Sequence, residues 1–246
     1  MSRPTDRLYH FDTRVVRATQ LTPRMRRITV SCPELAVFHV ENGPNIKLYF
    51  PLPDGGRASR AYTVRHFRRE ALELDIDFLL HEPDGAASLW ARHAQPGDPL
   101  AVMGPRAPLD LAGERQVLLL ADLCALPAAS ALLESLPADT RGHALLAVPA
   151  ADEIIALHHP AGVSVQWVVA DAVDALLPAL DALPASQWQD AYLWAAAESG
   201  VVKAIRARFI AAGRASRART RLVGYWKQGL AEHEYHDLRH VEMDEA

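Results

Sequence analysis

Hydrophobic and polar positions alternate through the first part of the chain. Residues 26–31 read Arg-Arg-Ile-Thr-Val-Ser, and residues 46–50 read Ile-Lys-Leu-Tyr-Phe. Residues 60–66 continue the alternation through Ala61, Tyr62, Thr63, Val64 and Arg65. Residues 72–80 carry Leu-Glu-Leu-Asp-Ile-Asp-Phe-Leu-Leu, a period of two with an apolar end. Turn clusters separate these runs: Glu41-Asn-Gly-Pro44, Pro53-Asp-Gly-Gly56 and Glu82-Pro-Asp-Gly85. The spacing predicts an antiparallel sandwich or barrel. One short helix is expected over 86–94, closed by Pro96-Gly97-Asp98. A last strand over 100–103 ends at Gly104-Pro105.

The rhythm then changes. Residues 116–121 form a short, almost wholly apolar run, followed by a helical pattern over 127–136. Similar runs recur at 144–148, 163–169, 192–195 and 221–225. Helical patterns fall at 171–183 and 201–212. Buried strands alternating with helices predict an open, parallel, doubly wound sheet. The shift near 105–114 divides the chain into domains 1–108 and 109–246, the second ending in a helical tail. In open sheets ligands bind beyond the carboxyl ends of the strands, so this order of domains already suggests a two-ligand protein. Fold does not fix function, and the argument passes to individual residues.

Composition narrows the classes. The net charge is −4, so the whole chain is no polyanion binder and no nucleic-acid partner is expected. No apolar run reaches the roughly 18 residues of a spanning helix, so no membrane insertion is expected. The polar N-terminus is unlike a secretory signal. Cys32 and Cys124 stand too far apart for a disulfide framework or a zinc site. A soluble, cytoplasmic, monomeric protein is the expectation. The 26 basic residues comprise 23 Arg and 3 Lys, while 32 of 42 Ala lie from Arg106 onward. That bias reads as compositional background, and it singles out Lys47, Lys203 and Lys227.

Chemistry concentrates at Arg60-Ala-Tyr62-Thr63. On a strand Arg60 and Tyr62 share one face, while Ala61 and Thr63 share the other. A flavin dinucleotide needs a guanidinium for pyrophosphate, an aromatic ring, and a small hydrogen-bonding group near its reactive nitrogen. Arg-x-Tyr-Thr supplies all three, and an exposed basic strand is the plainer alternative. A second signal follows at His81 and Gly85-Ala86-Ala87-Ser88, a strand end, a turn and a helix start. Unpaired first-turn amides and the helix dipole favour an anion there, and Ser88 could add a hydroxyl.

Together these residues resemble the siderophore-interacting proteins, flavin-dependent ferric-siderophore reductases of the ferredoxin reductase superfamily. The resemblance runs from Arg26-Arg-Ile-Thr-Val30 and Ile46-Lys-Leu-Tyr-Phe-Pro51 through Arg60–Arg65 and Gly85-Ala-Ala-Ser-Leu-Trp-Ala91. It continues in Ala125-Leu-Pro-Ala128, Glu198, Val202-Lys-Ala-Ile-Arg206 and Gly224-Tyr-Trp226. It implies a six-stranded antiparallel FAD-binding barrel followed by an α/β domain that takes NADH or NADPH. Arg60, Ala61, Tyr62, Thr63, Val64 and Arg65 would line the FAD, with Thr63 in the catalytic position. His81, Gly85, Ala86, Ala87 and Ser88 would complete the cofactor site. Lys47 and Lys227 match positions of basic substrate contacts, and Arg206 is a lesser candidate. The partners implied are a ferric siderophore and NAD(P)H or a reduced electron carrier.

Three departures bear on the second domain. Asp122-Leu123-Cys124 stands where the family reads Asp-Glu-Thr, removing two polar side chains. Ala197 replaces a glycine, so a methyl is expected to hinder close backbone approach. Ala131 replaces a basic residue. Two other readings stay open: a flavoreductase serving a protein acceptor, and a flavin-free siderophore-binding module. His233, His236 and His240 share a helical spacing with nearby acidic residues, and an exposed amphipathic helix is expected there rather than a metal site.

Overall fold

The computed structural model describes residues 9–38, 43–52, 55–106, 109–211, 213, 219–230 and 235. The chain divides into two compact units, described separately here. The first is Met1–Leu111 with Ser130–Ser135, and the second is Ala112–Ala129 with Leu136–Ala246. The sequence expectation placed the division at 108.

The first unit is a closed antiparallel barrel. Its strands are β1 (Tyr9–Gln20), β2 (Met25–Ser31), β3 (Asn45–Pro51), β4 (Arg57–Arg68), β5 (Glu73–Leu79) and β6 (Pro99–Arg106), ordered β1-β2-β5-β4-β3-β6. Closure leaves no open sheet edge. One helix, α1 (Ala86–His93), lies between β5 and β6 in the chain. Strand β1 is the element that the hydrophobic pattern alone did not reveal. Its buried face is Phe11, Thr13 and Val15, alternating with exposed His10, Asp12 and Arg14. A threonine in the middle of that face hides the alternation. Inside the barrel its hydroxyl donates to the Leu100 carbonyl at 2.7 Å, so burial leaves no unpaired polar group. Around Thr13 the core is apolar, with Ile28, Leu48, Phe50, Val64, Leu74, Ile76 and Phe78 all buried. Each such side chain contributes about 1.5–3 kcal/mol relative to exposure.

The second unit holds a five-stranded parallel sheet. Its strands are β7 (Gln116–Ala121), β8 (Arg141–Val148), β9 (Gly162–Val169), β10 (Tyr192–Glu198) and β11 (Thr220–Trp226), in the order β11-β10-β7-β8-β9. Helices α2 (Leu126–Ser135), α3 (Leu176–Ala182) and α4 (Ser199–Ala211) follow β7, β9 and β10, and residues Ser130–Ser135 of α2 belong to the first unit. The pattern predicted α3 from residue 171. The helix begins at Leu176 because Pro178, which lacks an N–H, fits only its first turn. The chain runs outward from β7 through β8 to β9, then returns to β10 on the other side of β7. The carboxyl ends of β7 and β10 therefore flank the topological switch point, where ligands of open α/β sheets bind. The expected tail helix with His233, His236 and His240 lies outside the described residues, apart from Tyr235.

Candidate functional site

In the barrel, antiparallel register fixes the site row. Arg60 pairs with Leu48 and Tyr62 with Ile46, while Ala61 pairs with Lys47 and Thr63 with Asn45. Arg60 and Tyr62 thus share the face of buried Ile46 and Leu48. Lys47 shares the opposite face with Ala61 and Thr63, and is half-buried. The Tyr62 ring lies 4.5 Å from that of Phe78 and 6.5 Å from that of Phe50. Trp90 of α1 packs on both phenylalanines, at 5.6 and 5.7 Å. This aromatic cluster joins α1 to the strands carrying Arg60 and Tyr62. Thr63 is buried.

At α1, Gly85 is the N-cap in an extended conformation, with no side-chain capping bond. The first-turn amides at Ala86 and Ala87 are flanked only by methyl groups. The His81 imidazole lies against Gly85, its Cε1 being 3.7 Å from where a Cβ would stand. Ser88 departs from expectation. Its buried hydroxyl accepts the His81 N–H at 3.1 Å and donates to the Asp84 carboxylate at 2.6 Å. Arg92 holds the same carboxylate at 3.0 Å. With its single proton on Asp84, Ser88 orders the turn and does not aim a hydroxyl at a phosphate.

Val64 and Arg65 have partners of their own within the protein. Val64 is a fully buried core residue, and its N–H donates to the Pro44 carbonyl while its own carbonyl accepts from Gly43. It has no side-chain contact to offer a cofactor. Arg65 is 4% exposed and forms a bidentate pair with Glu134, whose short segment belongs to the first unit. Its charge is matched there by that of Glu134. Arg60, Ala61, Tyr62 and Thr63 follow one another on β4, and His81 lies against the Gly85 turn that opens α1.

Arg65 belongs to a charged belt on the barrel wall that local pattern did not reveal. Cross-strand register sets Thr29 opposite Asp75 and Arg27 opposite Asp77. Asp75 accepts from Thr29 at 2.6 Å and from Arg68 at 2.7 Å, and Arg27 meets Asp77 at 2.6 Å. Burial disfavours the Asp75 anion, but Arg68, His66 and Thr29 outweigh it and hold the carboxyl far below its ordinary range. Burial likewise opposes ionisation of Glu134, yet Arg65 and His66 hold it down at about 2. Asp75 and then Glu134 push His66 up. Every carboxylate of this belt has a cation beside it, so the belt reads as structure.

In the second unit, two carboxylates end neighbouring strands. Asp122 follows β7; its Oδ1 accepts the Ala125 N–H at 3.1 Å and its Oδ2 accepts the Trp226 indole N–H at 2.7 Å. Burial pushes Asp122 up to about 6, only partly offset by Trp226 and backbone amides. Glu198 ends β10; its Oε2 accepts the Val201 N–H at 3.0 Å and its Oε1 the Gln228 N–H at 3.2 Å. Lys227 lies half-buried between Trp226 and Gln228, and Arg206 is half-buried on α4. Gly224 is required where it stands, because a Cβ would meet the Tyr235 hydroxyl and press on Ser199. Ala197 corrects the expected steric block: it is 1% exposed and belongs to the apolar core, so its methyl does not stand at the sheet's rim. Cys124 is half-buried in the β7–α2 turn. Sequence reasoning missed the Asp122–Trp226 pair; the available signal was a tryptophan whose buried N–H needs an acceptor. Among the described residues, no cluster of three or more metal-ligating side chains occurs. Nor is any helix among them long and apolar enough to cross a membrane.

Comparison with known proteins places this geometry. A model for the siderophore-interacting FAD-binding domain matches residues 14–59 and 54–109. A model for the siderophore-interacting protein family matches residues 114–229. The ferric vibriobactin reductase ViuB of Vibrio cholerae serotype O1 is 32% identical over 269 residues, covering 100% of this chain and 99% of that one. The crystal structure of the siderophore-interacting protein SipS from Aeromonas hydrophila superposes with a TM-score of 0.87 at 37% identity, over 96% of this chain and 98% of that one. A ferredoxin reductase of carbazole 1,9a-dioxygenase aligns with a TM-score of 0.70 at 15% identity, covering 89% of this chain and 70% of its own. That likeness is one of fold.

Proposed function

Since the chain belongs to the siderophore-interacting protein family, we propose that it is an FAD-dependent reductase of ferric siderophores, releasing iron by converting Fe(III) to Fe(II). The observation that carries the reading is the Arg60–Tyr62 row beside the uncapped start of α1, on a domain whose family binds FAD. These residues fit the cofactor: a guanidinium for pyrophosphate, an aromatic ring, and small-residue amides at a helix N-terminus. Bound FAD would supply acceptance of an electron pair and its release in single steps.

The chain's own part is binding and orientation. Arg60 and the Ala86 and Ala87 amides hold the phosphates. Tyr62, fixed by Phe78, gives a rigid face to the flavin side. Buried Thr63 presents its hydroxyl near the reactive ring, and Ala61 and Gly85 leave room for close approach. His81 covers the turn. Lys47 in the first unit, and Lys227 and Arg206 in the second, would each offer positive charge to an anionic ferric chelate. Loss of the ferric state lowers the chelate's hold on iron.

The electron donor is NADH, NADPH or a reduced carrier. The sheet's carboxyl edge is a poor phosphate cradle: Glu198 already takes a first-turn amide of α4, Asp122 takes the Ala125 amide just before α2, and the 121–126 turn contains no glycine. No step is therefore routed through a nicotinamide. Anaerobic titration of the yellow holoprotein with NADH and NADPH tests this part. Slow, weak bleaching by both supports a carrier as donor. Rapid stoichiometric bleaching by one of them identifies that nucleotide.

A further inference from the structure

The second unit treats its two strand-end carboxylates alike. Each uses one oxygen at the start of a helix and the other at the end of β11 or just after it. Asp122 ties Ala125, the residue before the first turn of α2, to the Trp226 indole. Glu198 ties the first turn of α4 to the Gln228 amide. A helix cap needs only one acceptor. The second acceptor of each carboxylate goes to the residue immediately before or immediately after Lys227.

We infer that Asp122 and Glu198 are positioning residues for Lys227, holding the Trp226 side chain before this cation and the Gln228 backbone after it so that its ammonium is presented at the sheet's switch point. The inference rests on the reading in which Lys227 meets the ferric chelate.

Three features make the clamp necessary. First, β11 is an edge strand, bonded only to β10 within the sheet. The end of an edge strand frays readily, because few contacts hold it. Second, Lys227 carries its charge on a flexible four-carbon stem, so any looseness of the backbone spreads the ammonium through a larger volume. Third, β11 is bulged at its end. Ala197 pairs with Gly224, but Glu198 pairs with Trp226, so Tyr225 is an extra residue. A bulge re-aims the side chains after it, and here it carries the indole N–H to Asp122. Both carboxylates reach this segment through neutral donors, an indole and an amide. The clamp therefore forms without using the Lys227 charge as its anchor.

The test uses the full-length holoprotein and the ferric complex of a tris-catecholate siderophore, with KM, kcat and FAD content measured for each variant. Lys227→Ala is expected to raise KM about tenfold with kcat nearly unchanged, as for loss of one charge contact. Asp122→Ala and Trp226→Phe should each raise KM about threefold with FAD content intact. Asp122→Asn, which keeps one acceptor oxygen, should recover part of that loss. In the Lys227→Ala background, Asp122→Ala should add nothing further, because nothing remains to be positioned. Two outcomes overturn the clamp while leaving the substrate role of Lys227 standing. One is an unchanged KM in Asp122→Ala and Trp226→Phe. The other is a full additional threefold loss in the double variant. If Lys227→Ala itself leaves KM unchanged, the substrate role fails first and the clamp falls with it.

Discussion

The first unit and the sheet edge both hold carboxylates drawn partly or wholly out of water, and they hold them in opposite ways. In the first unit, Asp75 on β5 and Glu134 on α2 face guanidinium groups, and the positive charge overcomes burial. At the edge, Asp122 faces an indole and an amide, and burial wins. Hydrogen-bond count does not separate the two cases. The charge on the donor does. The wall uses ion pairs to fasten strands whose partners are set by register. The edge uses neutral donors to fix a strand end.

Four predictions bear on this contrast, the largest first. Replacing Glu134 by Gln leaves the buried Arg65 guanidinium without its counter-ion, and should cost about 3 kcal/mol in urea unfolding. A loss under about 0.5 kcal/mol would show the wall pair to be dispensable. The second concerns pH. Glu134 is held at about 2 against an ordinary 4.5, so its stabilisation is complete above 4.5 and is lost as pH falls toward 2. Asp122 has the opposite sign. Its native carboxyl keeps a proton up to about 6, while the unfolded chain releases it near 3.8. Stability from this group therefore falls as pH rises through that window, by on the order of 3 kcal/mol. Urea midpoints of the native protein and of Asp122→Asn, compared between those two pH values, read the difference. Parallel curves would place Asp122 among the ordinary surface carboxylates.

The third prediction separates binding from structure within the flavin motif. Arg60→Ala should lower FAD occupancy after purification several-fold, whereas Arg65→Lys should leave occupancy near normal and lower thermal stability. The reverse order would return Arg65 to the cofactor site. The smallest effect is expected for Ser88→Ala. Its hydroxyl serves Asp84 and the His81 amide, so stability should drop by about 1 kcal/mol with FAD affinity unchanged. A large drop in affinity would mean that the hydroxyl turns toward phosphate when FAD binds.

The same contrast explains what could be read from the sequence. The parallel strands were legible because each is a short apolar run. Arg60-x-Tyr62-Thr63 was legible because strand alternation alone sets its faces. Strand β1 was not, because Thr13 interrupts its apolar face and only the Leu100 carbonyl makes that burial tolerable. The employment of Arg65 was hidden because its partner lies 69 residues away. That of Asp122 was hidden because Trp226 lies 104 residues away. Local pattern carries no information about either pair. Both depend on which strand ends the topology brings together.

The account stands on electron flow from flavin to iron. The direct measurement mixes the anaerobically reduced holoprotein with the ferric tris-catecholate complex and follows the flavin spectrum together with a chromogenic Fe(II) chelator. The account predicts return of the oxidised flavin spectrum with two Fe(II) formed per flavin, since each flavin gives up an electron pair. A flavin that stays reduced against that complex, and against a hydroxamate and a citrate complex of Fe(III), would contradict it.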